Sequence, residues 1–165
     1  MKDFQDIAHG KYAPGFFGLL ALRVVGDIEA DGGILMRRLG LAVPPRSVSA
    51  LLLLADGPLS VTEIAQQVGM THAAVIKNVR KLLELGLAER GEDEHDDRRK
   101  PLHLTAAGVE RAAAVARFMR EAANVYQALF DEIGIDMFEG MSRMEQALKR
   151  KSFAARFNLP DAETR

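Results

Sequence analysis

Apolar positions recur at steps of three and four through most of this chain, the mark of helices that bury one face. Phe16, Leu19, Leu20, Val24, Ile28, Leu35 and Leu39 trace one such face, with Gly32 and Gly33 weakening or kinking it midway. Ahead of it, Phe4, Ile7 and Tyr12 stand among polar residues and Pro14-Gly15 follows, which predicts a short helix or arm and then a turn. Pro44 and Pro45 break the chain and suit a new helical start, whose predicted buried stripe is Val48, Leu51, Leu52 and Ala55. Beyond Asp56-Gly57-Pro58, Ser60 and Glu63 form a capping box, in which each residue satisfies an orphan backbone N–H of the other. A short helix with Ile64, Ala65 and Val68 inside follows.

Gly69 supplies a turn and Thr71 an N-cap for a helix with Val75, Val79, Leu82 and Leu83 on its inner face, closed by Gly86. Residues 87–90 and 100–104 predict two short strands around a polar run, and Pro101, lacking an N–H, predicts an edge position for the second. Thr105 caps a long helix running to about Phe130, with one apolar series for a core and an adjacent one for a partner helix. After Gly134, Asp136 and Glu139 open a last helix with Met137, Met141, Met144 and Leu148 in one stripe, and Phe153 and Phe157 continue the apolar pattern.

The order helix, short helix, glycine turn, second helix and hairpin between residues 46 and 105 is that of a winged helix-turn-helix, a reader of duplex DNA. The expected fold is therefore mainly α with a small two- or three-stranded β wing. Composition narrows the chemistry. With 165 residues one domain is expected, and the absence of Cys removes disulfides, thiolate zinc sites and sensing by thiol oxidation. The longest uncharged apolar runs fall well short of the roughly 18 residues that suggest a span, so no membrane contact is expected and the chain reads as cytoplasmic. No His-Glu-x-x-His, phosphate-binding glycine loop or Gly-x-Ser-x-Gly is present, which argues against an enzyme.

Residues 59–108 carry a specific resemblance. Ser60 to Val68 looks like the supporting helix, Thr71 to Leu85 like the recognition helix and Gly86-Leu87 like the exit into the wing of the MarR family of transcriptional regulators. The family's wing motif, Asp-x-Arg followed by Leu-Thr-x-x-Gly, stands here as Asp96-Asp97-Arg98 and Leu104-Thr105-Ala106-Ala107-Gly108. The resemblance implies one MarR-like domain over 1–165, a DNA-reading lobe at 46–105, and dimerisation helices within 1–40 and 106–165. It implies a homodimer on a pseudo-palindromic operator, most simply a repressor, whose half-sites lie ~34 Å or a multiple apart.

Side chains give the same picture chemically. The inner stripe of the recognition helix leaves His72, Ala73, Ile76, Lys77, Arg80 and Lys81 outward, the cations toward phosphate or guanine, and Ala73 and Ile76 toward thymine methyls. Asn78 sits nearer the inner boundary. At the wing, Arg98 beside Arg99 suits a narrow minor groove, with Asp96 fixing the Arg98 guanidinium. The run Glu92 to Asp97 with His103 also invites a metal, but a tip without fixed spacing seldom builds a site, so no cofactor is expected. From Thr71 to Thr105 seven basic residues meet seven acidic ones, which predicts modest or strongly salt- and sequence-dependent DNA binding and keeps a protein-binding winged helix as the alternative. The family's aromatic or phenolic effectors, if followed here, imply Tyr12, Phe16, Arg23 and Arg46 as pocket residues, an Arg holding a carboxylate.

Overall fold

The computed structural model describes residues 12–91 and 101–157. A 3-10 turn, Ala13–Phe16, leads into helix α1, Phe17–Arg38. A second 3-10 turn, Pro45–Ser47, opens α2, Val48–Ala55, followed by α3, Val61–Val68, and α4, His72–Glu84. Strands β1, Ala88–Arg90, and β2, Leu102–Leu104, precede α5, Ala106–Ile133, and α6, Met137–Arg150. The fold is mainly α with a small antiparallel wing. Two compact units are present, one ending at Arg117 and the other beginning at Phe118, so the division falls within α5.

In the first unit α2, α3, α4 and β2 surround one core. Leu51, Ile64, Val75, Val79, Leu82, Leu102 and Val115 are essentially inaccessible there. Local signals set the helix ends. Ser60 Oγ accepts the Glu63 N–H at 3.2 Å while the Glu63 carboxylate accepts the Ser60 N–H at 2.7 Å, the reciprocal box that starts α3. Thr71 Oγ1 accepts from Ala74 at the start of α4. Gly86, at φ +65°, lets the chain turn back so that Leu87 N–H reaches the Leu82 carbonyl at 2.9 Å.

Three sequence expectations change. In α2 the buried residues are Val48, Ala50, Leu51 and Leu54; Leu52 is half-buried and Ala55 exposed, because α3, α4 and β2 all pack on this short helix. Strand β2 belongs to a two-stranded sheet, but its first residue, Leu102, is flanked on both sides. Ala88 pairs with Leu104 and Arg90 with Leu102 on one side, and on the other Leu59 exchanges both backbone hydrogen bonds with Leu102. Pro101 lies just outside the strand and contributes only its carbonyl, to Gly91 N–H at 2.7 Å. Helix α1 runs unbroken through Gly32 and Gly33, and its predicted apolar face is not buried: Leu19, Leu20, Val24, Ile28, Leu35 and Leu39 stay exposed, while Met36, outside that series, is buried.

The wing and α5 meet at Gly108. A Cβ there would lie 1.9 Å from the Leu87 carbonyl oxygen, so only glycine fits. Thr105 completes this corner, its hydroxyl donating to the Gly86 carbonyl at 2.7 Å and accepting the Gly108 N–H at 3.1 Å. The Leu-Thr-x-x-Gly run is thus a packing device that fixes the wing against the core.

In the second unit the apolar series of α5 are half-exposed or exposed, and Met137, Met141, Met144 and Leu148 of α6 stay at least a third exposed. Tyr126 stacks on Phe130 at 6.1 Å, and Phe153 meets Phe157 edge-on at 5.3 Å. Asp136 caps α6 by accepting the Glu139 N–H at 2.9 Å. Among the described residues, no helix is long and apolar enough to cross a membrane.

Candidate nucleic-acid interface

Helix α4 is held from behind. Val75, Val79 and Leu82 enter the core, and buried Asn78 belongs with them, on the inner boundary. The Ser47 hydroxyl, also buried, donates to the Asn78 backbone carbonyl at 3.1 Å, so the Pro45–Ser47 turn pins the middle of the helix. The opposite face carries His72, Ala73, Ile76, Lys77, Arg80 and Lys81, all exposed. Ile76 keeps 48% of its surface accessible. These six share one face, as the sequence periodicity requires.

Their charges are not equivalent. Lys81 Nζ lies 2.6 Å from Glu84 Oε2, and Arg80 Nε lies 3.5 Å from Glu84 Oε1. The hydrogen bond from Lys81, aided by the nearby cationic charges, holds the Glu84 carboxyl below its ordinary value. Lys77 has no such carboxylate partner among the described residues. His72 Nε2 lies 3.4 Å from the Thr62 hydroxyl and bridges α3 and α4. Asp96, Arg98 and Arg99 lie outside the described residues, as do the other acidic residues of the wing tip.

Beside α4 a cleft of ≈ 470 Å³ is lined by Gly26, Glu29 and Ala30 of α1, by Pro44 to Ser47, and by Lys77, Asn78 and Lys81. Of the four residues the sequence suggests for a pocket, Arg46 lines this cleft; Tyr12, Phe16 and Arg23 are not among its lining residues. The Arg46 guanidinium is engaged: Nε donates to Glu29 Oε1 at 3.0 Å and Nη2 to Oε2 at 2.8 Å. That pairing pulls the Glu29 carboxyl below its ordinary value and raises Arg46. Sequence reading misses Glu29 because its partner stands 17 positions away. Among the cleft residues, the Pro44-Pro45 break and the outward Lys77 and Lys81 give local signals.

A further cation ties the connector after α1 in place. Arg111 of α5 donates to the carbonyls of Gly40, at 2.7 Å, and Leu41.

Residues 43–99 match the profile of the MarR family. No curated protein matches the chain. Among solved structures, the fold is similar to that of MepR in the S. aureus MepR–DNA complex, with a TM-score of 0.64 and 21% identity over 80% of this chain and 97% of that one. It is also similar to the Adhesin competence repressor AdcR from Streptococcus pyogenes, with a TM-score of 0.51 and 18% identity over 86% of this chain and 99% of that one. The family match spans α2 to the wing, the segment whose helix ends, glycine turn and outward cations were built up above. Over residues 43–99 this chain is similar to the MarR family, and its fold is that of a winged helix-turn-helix.

Proposed function

We propose that the protein is a sequence-specific duplex-DNA-binding transcriptional regulator, a repressor, that acts as a homodimer on a pseudo-palindromic operator in the cytoplasm and performs no catalysis. The observation that carries this reading is the outward face of α4: an exposed isoleucine flanked by cations, on a helix pinned from behind by the core and by Ser47. A rigid helix presenting an apolar anchor and charged donors is what base-edge and phosphate contacts need. At the wing, Arg98 and Arg99 would enter the minor groove and Asp96 would hold Arg98.

The dimer is supported by the apolar surface left uncovered on α1, α5 and α6, an exposure that single chains rarely keep. Effector binding belongs to the cleft beside α4. Ala30, Pro44 and Pro45 offer apolar walls, while Arg46, Lys77 and Lys81 offer cations for an aromatic carboxylate. Because Glu29 fills the Arg46 fork, such a ligand either displaces it or takes Lys77, and it changes DNA affinity only by binding one spacing of the readers better.

Selection of bound duplexes from a random pool by the full chain tests the reading. The expected result is an enriched inverted repeat with half-sites about one helical turn apart. Recovery of unenriched DNA would contradict it and favour a protein partner for the winged helix. For the effector, a panel of aromatic acids added to the bound complex is expected to yield at least one that releases DNA; unchanged affinity across the panel removes the cleft from the account.

A further inference from the structure

Glu84 is the last residue of α4, where the negative end of the helix dipole disfavours a carboxylate. It nonetheless reaches back to both neighbouring cations, with one oxygen on Lys81 and the other toward Arg80. All three side chains are about half exposed or more, so neither pair is built into the core. We infer that Glu84 is an intramolecular competitor of the DNA backbone, occupying Arg80 and Lys81 as a phosphate would and thereby limiting the grip of the reading helix. This rests on the DNA-binding function proposed above.

Exposed pairs at this helical spacing hold their partners weakly, too weakly to fix Arg80 and Lys81 in one geometry for DNA. Positioning is therefore the lesser effect. The charge itself is not so easily dismissed. When a phosphate takes either cation, the released carboxylate faces that phosphate across a few ångströms or recruits a solution cation. Either event subtracts from the counterion release that drives association. Lys77, which has no such carboxylate partner among the described residues, makes its contact without this penalty. The balance of acidic and basic residues over this lobe thus has one identifiable element at the reading helix, and a single neutral substitution removes it.

The test is anisotropy titration of a fluorescein-labelled random-sequence duplex with the full-length chain, its Glu84→Gln variant, and both again with Arg80→Gln and Lys81→Gln added. Glutamine keeps helix propensity and only weak exposed pairs are lost, so thermal unfolding is expected to be unchanged or slightly lowered. Glu84→Gln is expected to tighten binding about fivefold at low salt, the factor that one unit-charge repulsion carries across several ångströms of water. The slope of log affinity against log salt is expected to steepen by about 0.9, one further counterion. In the background lacking Arg80 and Lys81 most of that gain is expected to vanish. Unchanged or weaker binding by Glu84→Gln, while the parent binds with clear salt dependence, overturns the inference and leaves DNA binding standing. Absence of binding by every variant overturns both.

Discussion

Lys77 and Gly108 show how single positions divide function from fold. Lys77 stands on the exposed face of α4 without a carboxylate partner among the described residues, so its truncation leaves no buried group unpaired. Lys77→Ala is expected to weaken DNA binding by about 1–3 kcal/mol with unfolding unchanged, read by anisotropy and urea titration side by side. A changed sequence preference in the selected pool marks a base contact, and uniform weakening marks a phosphate. Gly108 is the opposite case. Alanine there gains helix propensity of up to about 1 kcal/mol, yet its Cβ meets the Leu87 carbonyl oxygen at 1.9 Å. The clash is with backbone and cannot be relieved by a rotamer, so Gly108→Ala is expected to destabilise by about 1–3 kcal/mol in urea unfolding. A variant as stable as the parent would show that β1 and α5 have more freedom than this corner suggests.

Elements are where the sequence speaks most clearly, because their ends are local chemistry. The Ser60/Glu63 box, the Thr71 and Asp136 caps and the Gly86 turn each depend on atoms within a few residues, and all form as the sequence requires. Ser60→Ala is expected to cost about 1 kcal/mol through the lost α3 cap. The same element gives a pH dependence. The Ser60 backbone N–H, and then its hydroxyl, hold the Glu63 carboxyl below its ordinary 4.5, so the folded chain favours the ionised form. Its stabilisation is complete above pH 4.5 and is lost as pH falls through the lowered folded value. Glu29 and Glu84 shift in the same direction and add to the acid limb. Glu63→Gln is expected to flatten that limb in pH-dependent unfolding; an unaltered acid profile would count against the box as a source of stability.

What depends on distant residues is less legible. The stripe on α2 shifts to Ala50 and Leu54 because α3, α4 and β2 converge on the helix, and periodicity does not encode where neighbours arrive. The Leu59 bridge to β2 spans one residue and leaves no alternation to read. The Glu29–Arg46 pair needs α1 and the turn before α2 to be folded first. By contrast the Lys81–Glu84 and Arg80–Glu84 pairs lie at helical spacing and were readable in principle, as was the outward face of α4 itself.

At the scale of the whole molecule, amphipathic pattern tells which face of a helix is apolar but not which chain covers it. Leu22 of α1 and Val125 of α5 keep 68% and 69% of their surface accessible, and Phe138 of α6 keeps 79%. Burial of such surface against a second copy is the simplest use of it. The expected mass in solution, by light scattering after size exclusion, is that of two chains, and the unfolding temperature is expected to rise with protein concentration. Leu22→Glu and Val125→Glu are expected to give folded monomers, since neither side chain supports its own unit's core. Dimers that survive both changes would place the interface elsewhere.

The central claim is that α4 and the wing read duplex DNA as a symmetric pair. Titration of the purified full-length chain onto the DNA flanking its own gene, by fluorescence anisotropy at two salt concentrations with unlabelled random competitor, tests it most directly. The account predicts binding that weakens steeply with salt, survives the competitor and saturates at two chains per site. Binding that ignores salt, or that competitor abolishes on this DNA and on the pool-selected duplex alike, would contradict it.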